Sequence, residues 1–535
     1  MKKGIKRTEM YRQQAQKVKK GWKSALKKLE FHPFLFAFYP VLFLYTHNHA
    51  QIPISDILFP LIGSLILASM AYGLMMVVYK DGTKAAFIVS IALLLFFFYG
   101  NIYELLKTVL HFLGVPKYIV KQLVKDRFLI PIVFCGISFL GMYIFYSKKK
   151  FIIPSKFLTA LSLILIAINC GILAKETLFK GLTYHDSKKK ESLSLPHAIN
   201  EKPLGFFSPD IYLFTLDEFA GFNTIKNYYN YDPSWFVDFL VKKGFYIIPQ
   251  SRSNYACTNN CLRSILNMDY IHKEPGLYDS ILIASQLKKQ GYQFYNSIPP
   301  NTILDGVYLK MNSELVMELI HVSMLKSIGP EFHRFKILYL FNNFSKIMRE
   351  KSPKIVHIYF MCPHVPFIFD SSGNRLPYND KENWKNKAVY RGQWIFMAKK
   401  IESVIDSIFL QSQIKPIIIL QSDHGVRALP RGKQSPPLIS DENGIVYIEN
   451  DKNKPLNYYQ LFTNNFNAFY FPDGNYSSLY DSLSPVNTFR IVLNHVFKTN
   501  YAMCPDQSYI GPAVSKGTKE KDSVEFLNVS KYARW

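Results

Sequence analysis

The chain has 535 residues, a formal net charge of +25, and 49% hydrophobic and 16% aromatic residues. This length suits two or three domains, and the apolar content is high for a soluble enzyme. Basic residues crowd the first thirty positions and the short gaps between apolar runs, where positive charge orients membrane proteins. No RNA-recognition motif, zinc ribbon or Arg-rich repeat accompanies this charge, so nucleic acid is not a predicted partner.

Five apolar segments follow a basic segment, residues 1–30, which we place on the cytoplasmic face against anionic lipid. A helix needs about 20 apolar residues to cross a bilayer. The sequence therefore predicts a five-helix transmembrane domain over residues 31–176. The predicted spans are residues 31–47, 54–79, 84–103, 129–146 and 157–174.

Positively charged turns predict the side of the membrane that each segment faces. The amino terminus, the turn 80–84 and the lysines of 148–150 fall on one side, which the positive-inside rule makes cytoplasmic. Four lysines in the loop 104–127 fall on the other side and oppose this orientation. An odd number of spans delivers everything after Glu176 outside the cell. We therefore expect a multi-pass protein of the plasma or inner membrane with an extracytoplasmic soluble half.

The soluble half is predicted to be an α/β domain. Short apolar runs such as 355–360 and 417–420 alternate with helical stretches such as 394–410. This alternation predicts a mostly parallel central sheet flanked by helices. The expected divisions are a linker over 177–208, the α/β domain over 209–500 and a C-terminal tail over 501–535.

Four of the six cysteines lie in this exported half. They allow two disulfides in an oxidising compartment, but the pairing cannot be derived from the sequence, and free thiols fit equally well. These cysteines are Cys257, Cys261, Cys362 and Cys504.

Two of the predicted strands end in polar clusters. The strand 211–216 is followed by Asp217 and Glu218, and the strand 417–420 by Ser422, Asp423, His424 and Gly425. Ligands gather where parallel strands end, so these carboxylates and the imidazole could hold a divalent metal at one sheet edge. The alternatives are an ordinary turn for Asp-His-Gly and a helix N-terminus for the acidic pair.

Two further residues are candidates for chemistry beside such a metal. Thr258 lies at or just before a predicted helix start, where free N–H groups favour an oxyanion, and a hydroxyl beside a metal can become a nucleophile. The alternative is that Thr258 or Asn260 is only an N-cap. His364, held between two prolines after the third strand, could donate a proton or bind an oxyanion, whereas His357 inside that strand is predicted to be structural.

Together these motifs resemble the alkaline-phosphatase/sulfatase superfamily. The matching features are Leu-Asp-Glu after a strand, a Thr on a turn, Pro-His-Val-Pro-Phe at 363–367 and Ser-Asp-His-Gly at 422–425. Apolar spans followed by such a domain resemble lipoteichoic acid synthases and lipid A phosphoethanolamine transferases. The stretch 484–494 also resembles the C-terminal part of membrane-bound sulfatase-like proteins. The Cys-x-Pro-x-Arg motif that sulfatases convert to formylglycine is absent here.

The resemblance implies roles for the residues that match it. It implies one divalent metal ion, with Zn or Mn favoured over Mg or Ca, and a Thr that is both nucleophile and metal ligand. The implied metal ligands are Asp217, Glu218, Thr258, Asp423 and His424. The implied substrate contacts are His364, Arg427 and Asn254.

We therefore predict a membrane-anchored transferase that moves phosphoglycerol or phosphoethanolamine from a phospholipid to an envelope glycan or lipid-linked glycan through a phospho-threonine. A second hypothesis is a hydrolase of phosphate or sulfate esters on surface polysaccharide, with water as acceptor. A third is a non-catalytic scaffold for envelope assembly. The absence of bound metal in the purified protein would favour the third.

Overall fold

The computed structural model describes residues 30–48, 54–184, 208–271, 282–297, 314–376, 386–426, 438–440, 446–448, 456–510, 526–531 and 533. The chain divides into two compact units. One contains Met1–Lys190 and Gly306–Gly329, and the other contains Glu191–Asp305 and Pro330–Trp535. We call them the helical unit and the catalytic unit.

The helices are numbered here along the chain. The first seven are α1 (His32–Asn48), α2 (Leu58–Tyr79), α3 (Gly82–Phe97), α4 (Tyr99–Phe112), α5 (Lys117–Leu123), α6 (Asp126–Tyr146) and α7 (Ile152–Tyr184). The others are α8 (Phe222–Asn227), α9 (Ser234–Lys242), α10 (Thr258–Asn267), α11 (Leu282–Lys289), α12 (Glu314–Val322), α13 (Gly329–Asn342), α14 (Phe344–Met348), α15 (Lys387–Gln411), α16 (Tyr458–Thr463) and α17 (Thr488–Phe497). Short 3₁₀ helices cover Ile54–Ile57, Met324–Ile328 and Pro485–Asn487.

Fewer helices than predicted can cross a membrane. In the described part of the chain, α2, α6 and the first 24 residues of α7 are long and apolar enough, while α3 and α4 pass only as one span bent by 68°. The count is thus three, or four with the bent pair, and the prediction of five is wrong. The reason is length: α1 has 17 residues and contains Pro40, so it is about 26 Å long, short of the roughly 30 Å hydrocarbon core.

The two lysine-containing turns lie at the same end of the helical unit, as the charge pattern predicted. Asp81 caps α3, because its Oδ1 accepts hydrogen bonds from the N–H groups of Thr83 and Lys84. The Lys84 ammonium donates to the Ser147 carbonyl at 2.6 Å. This contact joins the turn before α3 to the turn after α6.

The catalytic unit is built on a six-stranded mixed sheet. The strands are β1 (Ile211–Leu216), β2 (Tyr246–Ile247), β3 (Gln293–Asn296), β4 (Lys354–Phe360), β5 (Ile417–Ser422) and β9 (Asn467–Tyr470). Their order is β2-β9-β5-β1-β4-β3, with β5, β1, β4 and β3 parallel and the pairs β5/β9 and β9/β2 antiparallel. The predicted parallel core is present, and the antiparallel strands at one edge make the sheet mixed.

Two small sheets complete the described strands. One joins β6 (Leu438–Ser440), β7 (Val446–Ile448) and β8 (Leu456–Asn457), and the other joins β10 (Tyr509–Ile510) and β11 (Leu527–Asn528).

The central strands are buried on both faces, which explains their continuous apolar runs. Every residue of β1 and β5 is buried. His357 inside β4 is fully buried, its Nε2 lies 3.0 Å from the Thr215 hydroxyl oxygen, and burial lowers its pKa to about 3. The predicted structural role of His357 fits this position.

Candidate active site

The sheet aligns the ends of β1 and β5. Leu216 pairs with Ser422 in parallel register, so the residues that follow them, Asp217 and Asp423, leave adjacent strands at the same edge. Both carboxylates are buried, at 2% and 0% exposure. Carboxyl ends of parallel strands form the binding edge of α/β sheets, and here that edge is acidic.

His424 joins the two carboxylates in one cluster. Its Nε2 lies 3.8 Å from Asp217 Oδ1 and 3.5 Å from Asp423 Oδ2. One ligand atom from each of the three residues lies within 4.8 Å of those from the other two. Two carboxylates and an imidazole at this spacing are a suitable donor set for a divalent cation.

Two carboxylate oxygens and one imidazole nitrogen of this cluster are available to a cation. Asp217 Oδ1 and Asp423 Oδ2 are buried without a hydrogen-bond partner, although buried polar atoms are nearly always bonded. His424 Nδ1 is 2.8 Å from the Gly425 carbonyl oxygen. The N–H is therefore at Nδ1, and the Nε2 lone pair is available to a metal.

Burying the negative charges of this cluster without a cation is energetically unfavourable. Burial, followed by the nearby charge of Asp423, raises the pKa of Asp217 to about 7. Glu218 adds a third buried carboxyl group beside them. A divalent cation between the carboxylates would offset both the desolvation and the repulsion.

Gly425 allows the loop after β5 to fold tightly. A Cβ at this position would lie 2.3 Å from the Leu461 carbonyl oxygen and 2.8 Å from that of Phe462. The Gly425 N–H donates to the same Phe462 carbonyl at 2.9 Å. Because these obstacles are backbone atoms, only glycine lets the chain carry His424 to its place.

Thr258 lies beside this cluster. It is the first residue of the ten-residue helix α10, and its hydroxyl oxygen is 3.5 Å from His424 Nε2. The N-cap position belongs to Cys257, which makes no side-chain capping hydrogen bond. The hydroxyl of Thr258 therefore faces the Asp-Asp-His cluster, and the helix N-terminus favours negative charge there.

Glu218 and His364 are bonded to the cluster residues through their backbones; the Glu218 N–H donates to Asp423 Oδ1 at 3.1 Å. Glu218 adopts a left-handed backbone conformation, with φ at 57°, which is uncommon for a residue with a side chain. Its Oε1 is 3.8 Å from His364 Nε2. The His364 N–H donates to the Asp217 carbonyl at 3.1 Å. The Pro-His-Val-Pro turn is thus joined directly to the end of β1.

Tyr359 is a site residue that the sequence reasoning missed. Its hydroxyl donates to Asp217 Oδ2 at 2.5 Å and is within hydrogen-bonding reach of Thr258. The bond occupies one oxygen of Asp217 and leaves the other, Oδ1, directed at His424. A tyrosine inside an apolar strand carries no signal of such a role, because aromatic residues are ordinary in strands.

Changing Tyr359 to Phe is expected to weaken divalent-metal binding about 10- to 100-fold, the usual cost of losing a partner that orients a metal ligand. Calorimetric titration of the full-length protein with Mn or Zn measures this effect. Tyr295→Phe is the matched control, because this tyrosine lies on the neighbouring strand β3 and its hydroxyl bonds to Glu350 at 3.2 Å. Equal affinities for the two variants would show that Tyr359 does not orient Asp217.

No protein-family model matches the chain, and no curated protein is similar to it at a significant level. Solved structures are similar in fold. The periplasmic domain of EcEptC from Escherichia coli has 12% identity and a TM-score of 0.36, over 60% of this chain and 95% of that one. The lipooligosaccharide phosphoethanolamine transferase EptA from Neisseria meningitidis has 12% identity and a TM-score of 0.33, over 88% and 94%.

A phosphonate monoester hydrolase of Agrobacterium radiobacter is also similar, with 12% identity and a TM-score of 0.34 over 57% of this chain and 80% of that one. Another structure of the EcEptC domain is a complex with Zn. Matches at this identity and TM-score do not establish a family.

Of the two remaining predicted substrate contacts, Asn254 and Arg427, the structure describes only Asn254. Asn254 is 1% exposed, and its amide is fully used: Oδ1 accepts from the Val486 N–H, and Nδ2 donates to the Tyr270 hydroxyl and the Gln507 carbonyl. These bonds give Asn254 a structural role, and its contact with substrate stays a prediction. Arg427 lies outside the described residues.

None of the six cysteines, all of which lie in the described part of the chain, is disulfide-bonded.

Proposed function

We propose that this protein is a membrane-anchored, metal-dependent transferase that moves a phospho-head-group, phosphoglycerol or phosphoethanolamine, from a phospholipid to an envelope glycan. One observation carries this proposal. A threonine hydroxyl at a helix start lies 3.5 Å from the imidazole of a buried Asp-Asp-His cluster. In this cluster, one oxygen of each carboxylate has no hydrogen-bond partner. A nucleophile placed beside a cation site is suited to phosphoryl transfer.

Asp217, Asp423, His424 and Thr258 would hold one divalent cation. Three oxygen ligands and one imidazole suit Zn or Mn, whereas Mg and Ca favour oxygen ligands alone. When bound, the cation lowers the pKa of the threonine hydroxyl and offsets negative charge on the phosphoryl oxygens. Glu218 is a further candidate ligand. It is not one of the three residues whose ligand atoms lie within 4.8 Å of one another, and its Oε1 is 3.8 Å from His364 Nε2.

The proposed first step is attack by Thr258 Oγ1 on phosphorus. The Thr–O–P bond forms, the bond between phosphorus and the glycerol oxygen of diacylglycerol breaks, and diacylglycerol leaves after taking a proton. We assign donation of that proton to His364, whose backbone N–H bonds to the Asp217 carbonyl. In the second step, a glycan hydroxyl attacks the same phosphorus. The glycan O–P bond forms, the Thr–O–P bond breaks, and the proton of the glycan hydroxyl passes to the Thr258 oxygen.

The helical unit would hold this chemistry at a lipid surface. The spans favour a multi-pass protein of the plasma or inner membrane. Because α7 begins directly after the lysines of 148–150, a cytoplasmic position for that turn would put the chain after α7 on the extracytoplasmic side, whatever the number of spans before it. Anchoring raises the local concentration of a phospholipid donor, since donor and site share one surface. The acceptor would then be an envelope glycan or a lipid-linked glycan.

The full-length protein in lipid nanodiscs, supplied with Mn or Zn and a phospholipid labelled in its head group, tests this proposal. We expect release of diacylglycerol and mass spectrometric detection of the labelled head group on Thr258. Chelation of the metal should stop both, and an added glycan acceptor should remove the label from the protein.

Other outcomes lead to the rival functions. Label that passes to water as readily as to glycan indicates a hydrolase. A protein that binds metal but neither releases diacylglycerol nor carries label is not this transferase. Absence of bound metal and of turnover together would leave a scaffold in envelope assembly.

A further inference from the structure

A segment from the middle of the catalytic sequence belongs to the helical unit. Residues Gly306–Gly329 lie between strands β3 and β4 of the sheet, yet they group with the amino-terminal helices. The described part of this segment contains α12 and the 3₁₀ helix Met324–Ile328. We call residues 314–329 the insert.

The insert shares an apolar core with the amino-terminal helices. Leu315 is fully buried and clusters with Val41 and Leu44 of α1, which are 0% and 8% exposed. Leu319 packs against the same cluster and against the main apolar core of the helices. Partly buried members of the smaller cluster are Phe43, Tyr45, Ile57, Leu61 and Val322.

The start of α4 is shaped for close approach of the insert. A Cβ at Gly100 would lie 3.0 Å from the carbonyl oxygen of Val322 and 3.1 Å from its Cα. One turn further along α4, the ring of Tyr103 lies 3.9 Å from the ammonium of Lys326, a cation–π contact. Backbone contact at Gly100 and side-chain contact at Tyr103 fix the insert at two points.

All of these contacts lie at one end of the helical unit. They involve the last part of α1, the first part of α2 and the start of α4. The opposite end holds the lysine-containing turns, where Lys84 bonds to Ser147. For the orientation proposed above, the insert therefore packs at the extracytoplasmic end, which is the end that an exported domain can reach.

We propose that the insert is a second attachment of the catalytic unit to the helical unit, independent of the linker after α7. The chain leaves the catalytic unit after Asp305 and returns at Pro330, so the insert is covalently continuous with the catalytic sequence on both sides. Its packed leucines hold it on the helices without help from the linker. The catalytic unit is thus a domain fastened at two places, and the linker alone does not determine its freedom to move.

Cleavage of the linker tests this attachment without using enzymatic activity. A protease-recognition sequence is placed between residues 191 and 207 of the full-length protein, and isolated membranes are cleaved and washed with high salt. We expect the carboxyl-terminal fragment to remain on the membranes, because it still carries the docked insert. Release of this fragment from the protein whose only change is the protease site would overturn the proposal.

Variants on both sides of the contact identify what retains the fragment. The pair Leu315→Asp with Leu319→Asp, and separately Gly100→Leu, are expected to release most of it after cleavage. Gly100→Leu leaves the insert sequence intact, so release in that variant cannot come from misfolding of the insert itself. Leu325→Asp is the matched control, because Leu325 is in the insert but 39% exposed, and its fragment should stay bound.

Retention of the fragment in both the double leucine variant and the Gly100 variant would show that other contacts hold it, which would overturn the role of the insert. The metal affinity of the uncleaved variants should equal that of the wild-type protein, since none of the changed residues belongs to the candidate active site. This readout separates failure of the attachment from failure of the proposed chemistry.

Discussion

Replacing Asp423 with Asn is expected to weaken binding of a divalent cation by more than about 100-fold. This loss of affinity exceeds the one expected when a residue that only orients a metal ligand, such as Tyr359, is changed. Asp423 Oδ2 is buried without a hydrogen-bond partner, 3.5 Å from His424 Nε2. The other oxygen accepts from the N–H groups of Glu218 and His424, at 3.1 and 2.8 Å. An asparagine carbonyl can keep both bonds, so the loop stays folded while an NH₂ group that cannot bind metal replaces Oδ2.

Calorimetric titration with Mn or Zn measures this loss, and thermal unfolding gives a second signature. A ligand present at 100 times its Kd stabilises a protein by about 2.7 kcal/mol. Wild-type protein should gain this stability and the variant almost none at the same concentration. Without metal, the variant should be at least as stable as the wild type, because one of the mutually repelling buried carboxylates has lost its charge.

Asp481→Asn provides the control for this experiment. Asp481 accepts a hydrogen bond from the Tyr246 hydroxyl at 3.3 Å in an exposed position, so its substitution should leave both metal affinity and the metal-induced shift unchanged. Wild-type affinity in the Asp423 variant would remove that carboxylate from the set of ligands.

The convergence at the sheet edge could be predicted because it depends on rules that apply to short segments. Apolar runs ending in Asp217 and in Asp423-His424 indicated two strands, and parallel strands present their carboxyl ends together. In the structure, Leu216 pairs with Ser422 in parallel register, so the two strands end side by side. The position of Thr258 at a helix start followed in the same way from a polar turn before an amphipathic stretch.

Residues whose role depends on distant partners could not be predicted. Tyr359 contacts Asp217, 142 positions away in sequence, and Asn254 bonds to Val486, 232 positions away. Nothing in the local sequence distinguishes a tyrosine that orients a carboxylate from one that packs in a core. The insert was missed for a similar reason, since apolar residues at helical spacing look alike whichever unit they pack against.

The number of spans was overestimated because hydropathy measures composition and not helix length. Segment 31–47 is apolar, but its 17-residue helix is about three residues too short to cross the hydrocarbon, and ten of its residues are buried. Segment 84–103 is mostly apolar, but the helix bends by 68° between Phe97 and Tyr99. Both departures depend on how the helices pack, which composition does not specify.

Changing Thr258 to Ala is expected to lower diacylglycerol release by at least about 10³-fold, the scale of loss when a nucleophile is removed. Thr258→Ser should retain measurable release, because the hydroxyl that would attack phosphorus is still present. Metal affinity should fall less than in the Asp423 variant, since Asp217, Asp423 and His424 remain. This difference separates loss of the nucleophile from loss of the metal.

Ser264→Ala is the matched control for Thr258→Ala, because both residues lie on α10 and both changes remove one hydroxyl. The Ser264 hydroxyl is buried and donates to the Cys261 carbonyl within the same helix at 2.9 Å, so its loss should lower stability slightly and leave turnover unchanged. The labelled head group should be found on Thr258 in the wild-type protein and be absent from the alanine variant. Unchanged diacylglycerol release by the alanine variant would mean that water or another side chain attacks phosphorus, and the phospho-threonine route would have to be abandoned.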